Sequence, residues 1–303
     1  MIAVIIATLN RPELLKNLLH QLSSQTLKPS QIIIIDASNE ENRVPIDKIE
    51  DEKIIYKISK VKSAALQRNQ ALELVDKETE FIAVLDDDII IEPDYLDRCF
   101  KLIKNTNAVG VSGVAIPIIH REKSKNLFVK KFFLFESKKG GVITLSGINI
   151  PVKESNKNGT VHKTEWLIGC SFWRYKDIQD LKYCELFLGN SLFEDVIFSM
   201  QANKKGNLYV DSTIVLNHLE SAISRPNVQE FYSMWIVNRY QVIRNLDAGY
   251  KKYLAYHWSN FGKLVQLISY GFIARKYSFV ALIGLFKGYI KLLSYLINNK
   301  YAN

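Results

Sequence analysis

With 303 residues, 48% of them hydrophobic and 23% charged, the chain has material for a sizeable core and none of the composition of an extensively disordered protein. Three widely spaced cysteines, Cys99, Cys170 and Cys184, exclude a disulfide scaffold and predict reduced thiols in a cytosolic compartment. The net charge of +9 is local: no acid follows Asp247, eight basic residues do, and removing those eight leaves 32 basic against 31 acidic residues in the body. A nearly neutral body argues against a surface that tracks nucleic-acid phosphates.

Met1 runs directly into Ile2-Ala3-Val4-Ile5-Ile6 with no basic leader, so no signal peptide is expected. The spacing predicts a buried strand over 2–8, ending at Thr8-Leu9-Asn10-Arg11. Pro12 then suits the first turn of a helix, whose apolar face is Leu14, Leu15, Leu18, Leu19 and Leu22. Gln31 to Asp36 reads as a second buried strand and Ile54 to Ile58 as a third, followed by a helix over Ser63 to Val75. Next comes Phe81-Ile82-Ala83-Val84-Leu85, closed by three carboxylates, Asp86, Asp87 and Asp88. Continuous apolar runs of this kind belong to parallel strands covered on both faces, and alternation with helices predicts βαβ units.

In such sheets ligands collect beyond the carboxyl ends of the strands. Three adjacent carboxylates there repel one another unless a cation sits among them, and Mg²⁺ is typically held by one or two carboxylates plus substrate phosphates. A solvated acidic turn is the alternative. Asp36, at the end of the second strand, fits either a cap or a ribose or base contact. The glycine-rich fingerprints G-x-G-x-x-G and G-x-x-x-x-G-K-[ST] are absent, so phosphates need another counter-charge.

A helix over 94–104 and a strand over 108–115 complete the first half. Residues 120–139 are basic with an aromatic cluster and read as a mobile flap or a membrane-facing loop. In Glu165-Trp166-Leu167-Ile168-Gly169-Cys170, the glycine suggests a close backbone approach to a ligand or another segment; an edge strand is the alternative. A helix starts near Glu194-Asp195, where acids either meet the helix dipole or present a carboxylate to a cleft. Ile214 to Asn217 is a strand with His218 at its end, a metal ligand or a structural histidine.

Taken in order, V-I-I-A-T-L-N-R-P-E-L-L-K-N-L-L, I-I-I-I-D-A-S-N, A-L-Q-R-N-Q-A-L, L-D-D-D, G-N-S-L-F-E-D and N-H at 217–218 resemble a family 2 glycosyltransferase. The resemblance implies an α/β GT-A-type nucleotide-sugar-binding fold with a mostly parallel sheet over residues 1–220. Residues 1–115 would form its nucleotide half and 116–220 its acceptor half. It implies that Thr8, Asn10 and Arg11 line the nucleotide pocket, that Asp36 meets base or ribose, and that Arg68 meets the nucleotide or diphosphate. Asp86 and Asp88 are the ends of the family's D-x-D motif, with Asp87 between them on the donor side and Asp88 nearest a Mn²⁺ or Mg²⁺ ion. On the same resemblance His218 would complete the metal shell, Asp195 would be the catalytic base, and Trp166, Gly169 and Glu194 would serve the acceptor. The implied donor is a nucleoside-diphosphate sugar, transferred with inversion to a glycan or lipid-linked glycan of a surface polysaccharide. Processive members carry Q-x-x-R-W; here Gln241-Val242-Ile243-Arg244-Asn245 ends in Asn, the pattern of members that add one sugar.

Residues 221–303 are expected to be helical, for membrane association or oligomerisation. Apolar runs at 264–274 and 277–286 are broken by Arg275-Lys276, each shorter than the roughly 20 residues a span needs. Lys276, Lys287, Lys291, Ser294 and Asn298 fall near one helical face and Leu282, Leu285, Tyr289, Leu293 and Leu296 on another, as in a basic amphipathic helix at a membrane interface. That predicts a peripheral protein on the inner face of the cell membrane. A sugar-nucleotide pyrophosphorylase and a non-enzymatic membrane- or nucleic-acid-binding protein are the competing readings. Thr8-Leu9-Asn10-Arg11 lacks the glycines of the first, and the neutral body argues against nucleic acid in the second.

Overall fold

The computed structural model describes residues 1–44, 52–117, 127–153, 161–187, 191–219, 226–271 and 274–300. Two compact units make up the chain: Met1–Glu122 with Lys139–Val142 and Pro151–Ser224, and Lys123–Lys138 with Ile143–Ile150 and Arg225–Asn303.

The first unit opens with β1 (Ile2–Thr8), α1 (Pro12–Ser23), β2 (Gln31–Asp36), β3 (Ile54–Ile58), α2 (Ala64–Leu72) and β4 (Phe81–Asp86). Pro12 stands in the first turn of α1, where its missing N–H has no partner to lose. Ser63 lies just outside α2 and caps it, its Oγ accepting from Leu66 N at 3.3 Å, so the helix is shorter than the predicted 63–75. Then follow β5 (Ile89–Ile91), α3 (Tyr95–Thr106) and β6 (Gly110–Pro117). After α4 (Leu127–Phe132) and the short pair β7 (Val142–Ile143) and β8 (Asn149–Ile150) come β9 (Val161–Thr164) and β10 (Ser171–Arg174). The unit closes with α5 (Tyr175–Ile178), α6 (Glu194–Asn203) and β11 (Leu208–His218).

The main sheet runs β3-β2-β1-β4-β10-β6-β11-β5, with β9 also on β11. Pairs among β3, β2, β1 and β4 are parallel, as is β6 with β11, while β10 is antiparallel to both its neighbours. β10 therefore lies inside the sheet and is not the edge strand allowed for in the sequence. Alternate β1 residues feed two cores: Ile2, Val4 and Ile6 join Leu15, Leu18 and Leu22 of α1, whereas Ala3 and Ile5 join Ala65 and Ala71 of α2. Burial on both faces explains why these strands are apolar throughout. Register aligns Thr8 with Asp36 and Ala7 with Asp86, so three strand ends meet at one edge, with β1 between β2 and β4.

The second unit is helical, with α7 (Val228–Asn245), α8 (Lys251–Gly271) and α9 (Arg275–Lys300) around a core of Ile236, Ile243, Tyr256, Leu267, Leu285 and Leu292. A reciprocal capping box fixes the start of α7: Asn227 Oδ1 accepts from Glu230 N at 2.9 Å, and Glu230 accepts from Asn227 N at 3.1 Å. α9 crosses α7 at Gly284 and Gly288, where a Cβ would come within 2.5 Å of Gln229 O and 2.8 Å of Ile236 Cβ. Of the predicted flap over 120–139, residues 120–126 lie outside the described residues. Residues 127–138 belong to this unit, with α4 leading to a buried Phe133 whose ring fills the space beside Gly262.

The α9 stretch Arg275–Asn298 is long and apolar enough, by length and composition, to cross a membrane. This corrects the expectation drawn from interrupted apolar runs, because one continuous helix carries its apolar residues past Lys287 and Lys291. The helix has two apolar faces: Ala281, Leu285 and Leu292 are buried, while Phe279, Phe286, Ile290, Leu293 and Ile297 are exposed.

Candidate active site

The acids at the sheet edge are each committed to a different task. Thr8 Oγ1 donates to Asp87 Oδ2 at 2.7 Å, and Arg11 Nη1 reaches Asp87 Oδ1 at 2.8 Å and Asp88 Oδ2 at 3.3 Å. Burial nevertheless pushes the Asp87 carboxyl up to about 6, against the pull of Arg11 and Thr8. The middle acid is thus turned to Arg11. Asp88 shares that guanidinium through Oδ2, and Asp86, Asp88 and His218 bring one ligand atom each to within 4.8 Å of one another.

That convergence follows from topology. After Asp88 the chain turns into β5, which pairs antiparallel with the end of β11 and sets His218 opposite Ile89. Leu219 N donates to Asp88 O at 2.8 Å, and His218 Nε2 stands 3.2 Å from Asp88 Oδ1. Two carboxylates and an imidazole form a donor set suited to a divalent cation, the carboxylates favouring Mg²⁺ or Mn²⁺. The residues present therefore fit the implied metal.

Arg68 binds the site together from α2. Its Nη2 lies 2.6 Å from Asp86 Oδ1, and its Nη1 is bonded to Glu194 Oε1. Although burial opposes its charge, Asp86 holds the guanidinium above its ordinary range. Arg68 Nε and Glu194 Oε2 are buried with no hydrogen-bond partner among the described residues. The Tyr183 ring covers the guanidinium, 5.5 Å from its centroid. Gly169 lies against the same pair, and a Cβ there would sit 3.3 Å from Asp86 Oδ2 and 3.6 Å from Arg68 Nη2. The close backbone approach expected of this glycine is to the acid itself.

Asp195 opens α6, behind a backbone held in unusual conformations. Ser191 and Phe193 have φ of 50° and 73°, left-handed values that cost a non-glycine residue about 1–3 kcal/mol each. The strained turn buries Phe193, orients Glu194 to Arg68 and leaves Asp195 partly buried with Oδ1 accepting from Val196 N at 2.8 Å. Burial raises the Asp195 carboxyl to about 6, with the Asp86 charge adding to the rise against the pull of the Val196 amide and Arg68. A carboxyl near 6 is ionised at neutral pH yet basic enough to accept a proton.

In the turn after β1, Asn10 takes a left-handed φ of 56°; its N donates to Ser38 Oγ at 2.6 Å and its Oδ1 accepts from Asn39 N at 3.0 Å. Asp36 is buried, with Oδ1 accepting from Ser38 N at 2.7 Å and Oδ2 from the Tyr56 hydroxyl. Burial and that bond hold the Tyr56 hydroxyl well above its ordinary range. Gln67 Nε2 donates to Thr8 O at 2.9 Å and Ile35 O at 2.7 Å, fixing the ends of β1 and β2 together.

Asp86, Asp87, Asp88, Thr8, Arg11, Arg68, Gly169, Glu194 and His218 thus form one connected constellation. Asp195 lies within electrostatic reach of Asp86 and Arg68, while Asn10 and Asp36 belong to the adjoining turn. Trp166 stands apart in contacts: it lines a cavity of about 110 Å³ with Gly113, Val152, Thr164 and Val210, and none of the acids lines it. Sequence reasoning missed Gln67, Tyr56, Ser38 and Tyr183. Only Ser38, two residues past a strand-end Asp, carried a recognisable turn signal.

Residues 3–153 match the family model for glycosyl transferase family 2. No curated protein sequence matches the chain. Among solved structures, residues 1–349 of S. aureus TarS superpose with a TM-score of 0.56 at 18% identity, covering 95% of this chain and 80% of that one. The same fragment in complex with UDP-GlcNAc gives 0.55 at 15% identity, covering 89% and 72%. This chain spans 43% of the longer TarS structure. GalNAc-T7 with UDP, GalNAc and Mn²⁺ gives a TM-score of 0.60 at 12% identity, covering 83% of this chain and 49% of that one. These likenesses show the fold, a GT-A-type α/β domain with a mostly parallel sheet. The family match covers the strands that end at Thr8, Asp36 and Asp86 and the acidic turn, while Gly169, Glu194 and His218 lie beyond it, and on that evidence residues 3–153 of the chain belong to glycosyl transferase family 2.

Proposed function

We propose that the protein is a metal-dependent, inverting glycosyltransferase that moves one hexosyl or deoxyhexosyl group from a nucleoside-diphosphate sugar to a hydroxyl of a glycan or lipid-linked glycan. The observation that carries this reading is the splitting of the Asp triplet. Asp86 and Asp88 converge with His218, while Asp87 is held by Arg11 and Thr8. The bound UDP, UDP-GlcNAc and Mn²⁺ of the structural neighbours support a uridine nucleotide and a divalent cation.

Asp86, Asp88 and His218 would hold the cation, which supplies Lewis-acid stabilisation to the departing diphosphate. Thr8, Asn10 and Asp36 orient the nucleoside, and Arg11 and Arg68 place positive charge beside the phosphates. Asp195 takes the proton of the acceptor hydroxyl as its oxygen bonds to the anomeric carbon on the face opposite the leaving group, a single displacement with inversion. Arg68 keeps two nearby carboxylates neutralised, so that Asp195 rather than Glu194 is left to act as base. Gly169, flush against Asp86, gives the acceptor sugar room to approach, and Trp166 forms a wall of the adjoining cavity.

Single addition is supported by α7, where Asn245 Nδ2 donates to Gln241 O at 2.8 Å and Arg244 Nη1 to the Tyr295 hydroxyl at 2.6 Å. The residues corresponding to the processive motif thus bond within the helical unit. Residues 1–220 carry catalysis, and residues 221–303 associate with the inner face of the membrane or with a second copy. The exposed row on α9 supports such a contact. A thermal-shift panel of nucleoside diphosphates and nucleotide sugars, each with Mn²⁺, Mg²⁺ or chelator, tests the proposal. A cation-dependent rise with one donor is expected; no rise with any member would overturn it.

A further inference from the structure

The main sheet has a notch beside its acidic edge. β10 pairs with β4 only as far as Val84 and with β6 only at Gly110 and Val111, whereas β4 runs on to Asp86 and β6 to Pro117. Because β10 is antiparallel to both neighbours, the chain that feeds it enters from the acidic edge and passes through the notch. On the β4 side, Cys170 Sγ accepts from Asp86 N at 3.4 Å. On the β6 side, Trp166 and Ile168 enclose the cavity of about 110 Å³ together with Gly113, Ala115, Val152 and Val210.

The walls define what can enter. Among the described residues, no charged side chain lines the cavity, and its one hydroxyl, on Thr164, already bonds to Gly141 O at 2.8 Å and Trp166 O at 2.9 Å. A carboxylate or phosphate would lose its water there without gaining a partner, so the walls favour an apolar group. The volume is well below the roughly 300–1,000 Å³ of a pocket for a whole ligand and suits a substituent of a few heavy atoms. Ala115 is exposed and Val152 half-buried, while Trp166 and Val210 are buried, so the cavity is entered from the surface past Ala115.

The cavity is also tied to the proposed base. Leu167, between Trp166 and Ile168, donates its N–H to Ser199 Oγ at 3.0 Å, and Ser199 stands one turn beyond Asp195 on α6. Across the cavity, Ala115 lies two residues before Pro117, the register partner of His218. Thr8 and Asp36 end β1 and β2 on the far side of β4, so the cavity and the proposed nucleoside contacts flank Asp86 from opposite sides. We infer that this cavity is a specificity subsite for the acceptor sugar, receiving a methyl-bearing substituent, the acetamido group or the C6 methyl of a deoxyhexose. The assignment to an acceptor rests on the transferase reading above.

The test is ligand-observed NMR on the full chain with three pairs of free sugars: N-acetylglucosamine with glucose, L-fucose with L-galactose, and L-rhamnose with L-mannose. In one pair the methyl-bearing sugar should bind about tenfold or more tightly than its counterpart, its methyl protons receiving the largest share of saturation from the protein. The pair that separates names the substituent. Ala115→Leu narrows the entrance at an exposed position, so the preference should vanish while the melting temperature holds. Should that variant melt lower, the wild-type pairs still decide. Equal binding within every pair, no binding by any sugar, or a preference that survives a well-folded Ala115→Leu overturns the subsite. If Ala115→Leu instead spares the sugar preference and loses the thermal shift with a nucleotide sugar, the cavity serves the donor and the acceptor assignment falls. No nucleotide or cation enters the NMR measurement, so its failure leaves the transferase reading standing, and a failed donor panel leaves the sugar preference standing.

Discussion

Replacing Asp195 with Asn separates catalysis from stability, because the same burial that makes this carboxylate a base also makes it costly. In the folded chain its carboxyl sits at about 6, against about 3.9 in an unfolded chain, so the fold binds that proton more tightly. Its stabilising contribution is therefore complete below about pH 4 and is lost as the pH rises through 6. The difference between those two values corresponds to roughly 1–3 kcal/mol after allowing for partial solvent access. Asp195→Asn should accordingly melt a few degrees higher than wild type at pH 7.5, an advantage that disappears near pH 4. Transfer should fall by about 10²- to 10⁴-fold, with donor affinity kept. In the wild type, transfer should rise with pH through 6, the ionised fraction going from about one tenth at pH 5 to about nine tenths at pH 7. Paired melting curves and a product assay with radiolabelled donor measure both arms. Near-normal turnover, or a variant less stable than wild type at pH 7.5, would refute the reasoning.

Asp88→Ala removes a carboxylate shared by His218 and Arg11, and should abolish the Mn²⁺-dependent part of donor binding; calorimetry with and without the ion reads the difference. Gly113→Ala places a methyl group into the Ile214 carbonyl, where β11 shifts register between Val210 and Val215. It should cost about 1–3 kcal/mol or more in urea unfolding. Phe286→Ser with Ile290→Ser alters two exposed side chains, so the melting temperature should hold while vesicle flotation falls about tenfold or more. Equal flotation would remove α9 from the membrane contact.

The strands were legible because burial on both faces leaves an unbroken apolar run, and the acids stood out because each ended one. Less legible was the division of labour within the triplet. Nothing in Asp86-Asp87-Asp88 says which member turns away; Arg11, far off in sequence, decides it with Thr8. Glu194 is bonded to Arg68, a pairing 126 residues apart that no local pattern signals. Gly169 was recognised as a close-approach position, but its partner could not be, since β10 threads antiparallel between β4 and β6 and periodicity does not reveal strand order. On α9 the helical period was plain, yet a helix with two apolar faces gives no sign of which one packs inward. Gly284 and Gly288 held that information, as the small residues that admit another backbone.

Those two glycines also restrict how α9 can meet a bilayer. The helix is seated so tightly on α7 that drawing it upright into hydrocarbon alone would mean unzipping a backbone-to-backbone seam. Taking α7 with it would carry Asn238, Arg239 and Gln241, all buried, toward oil. Lying flat avoids both penalties: Phe279, Phe286, Ile290 and Ile297 can sink into the interface like the keel of a boat while the seam stays closed.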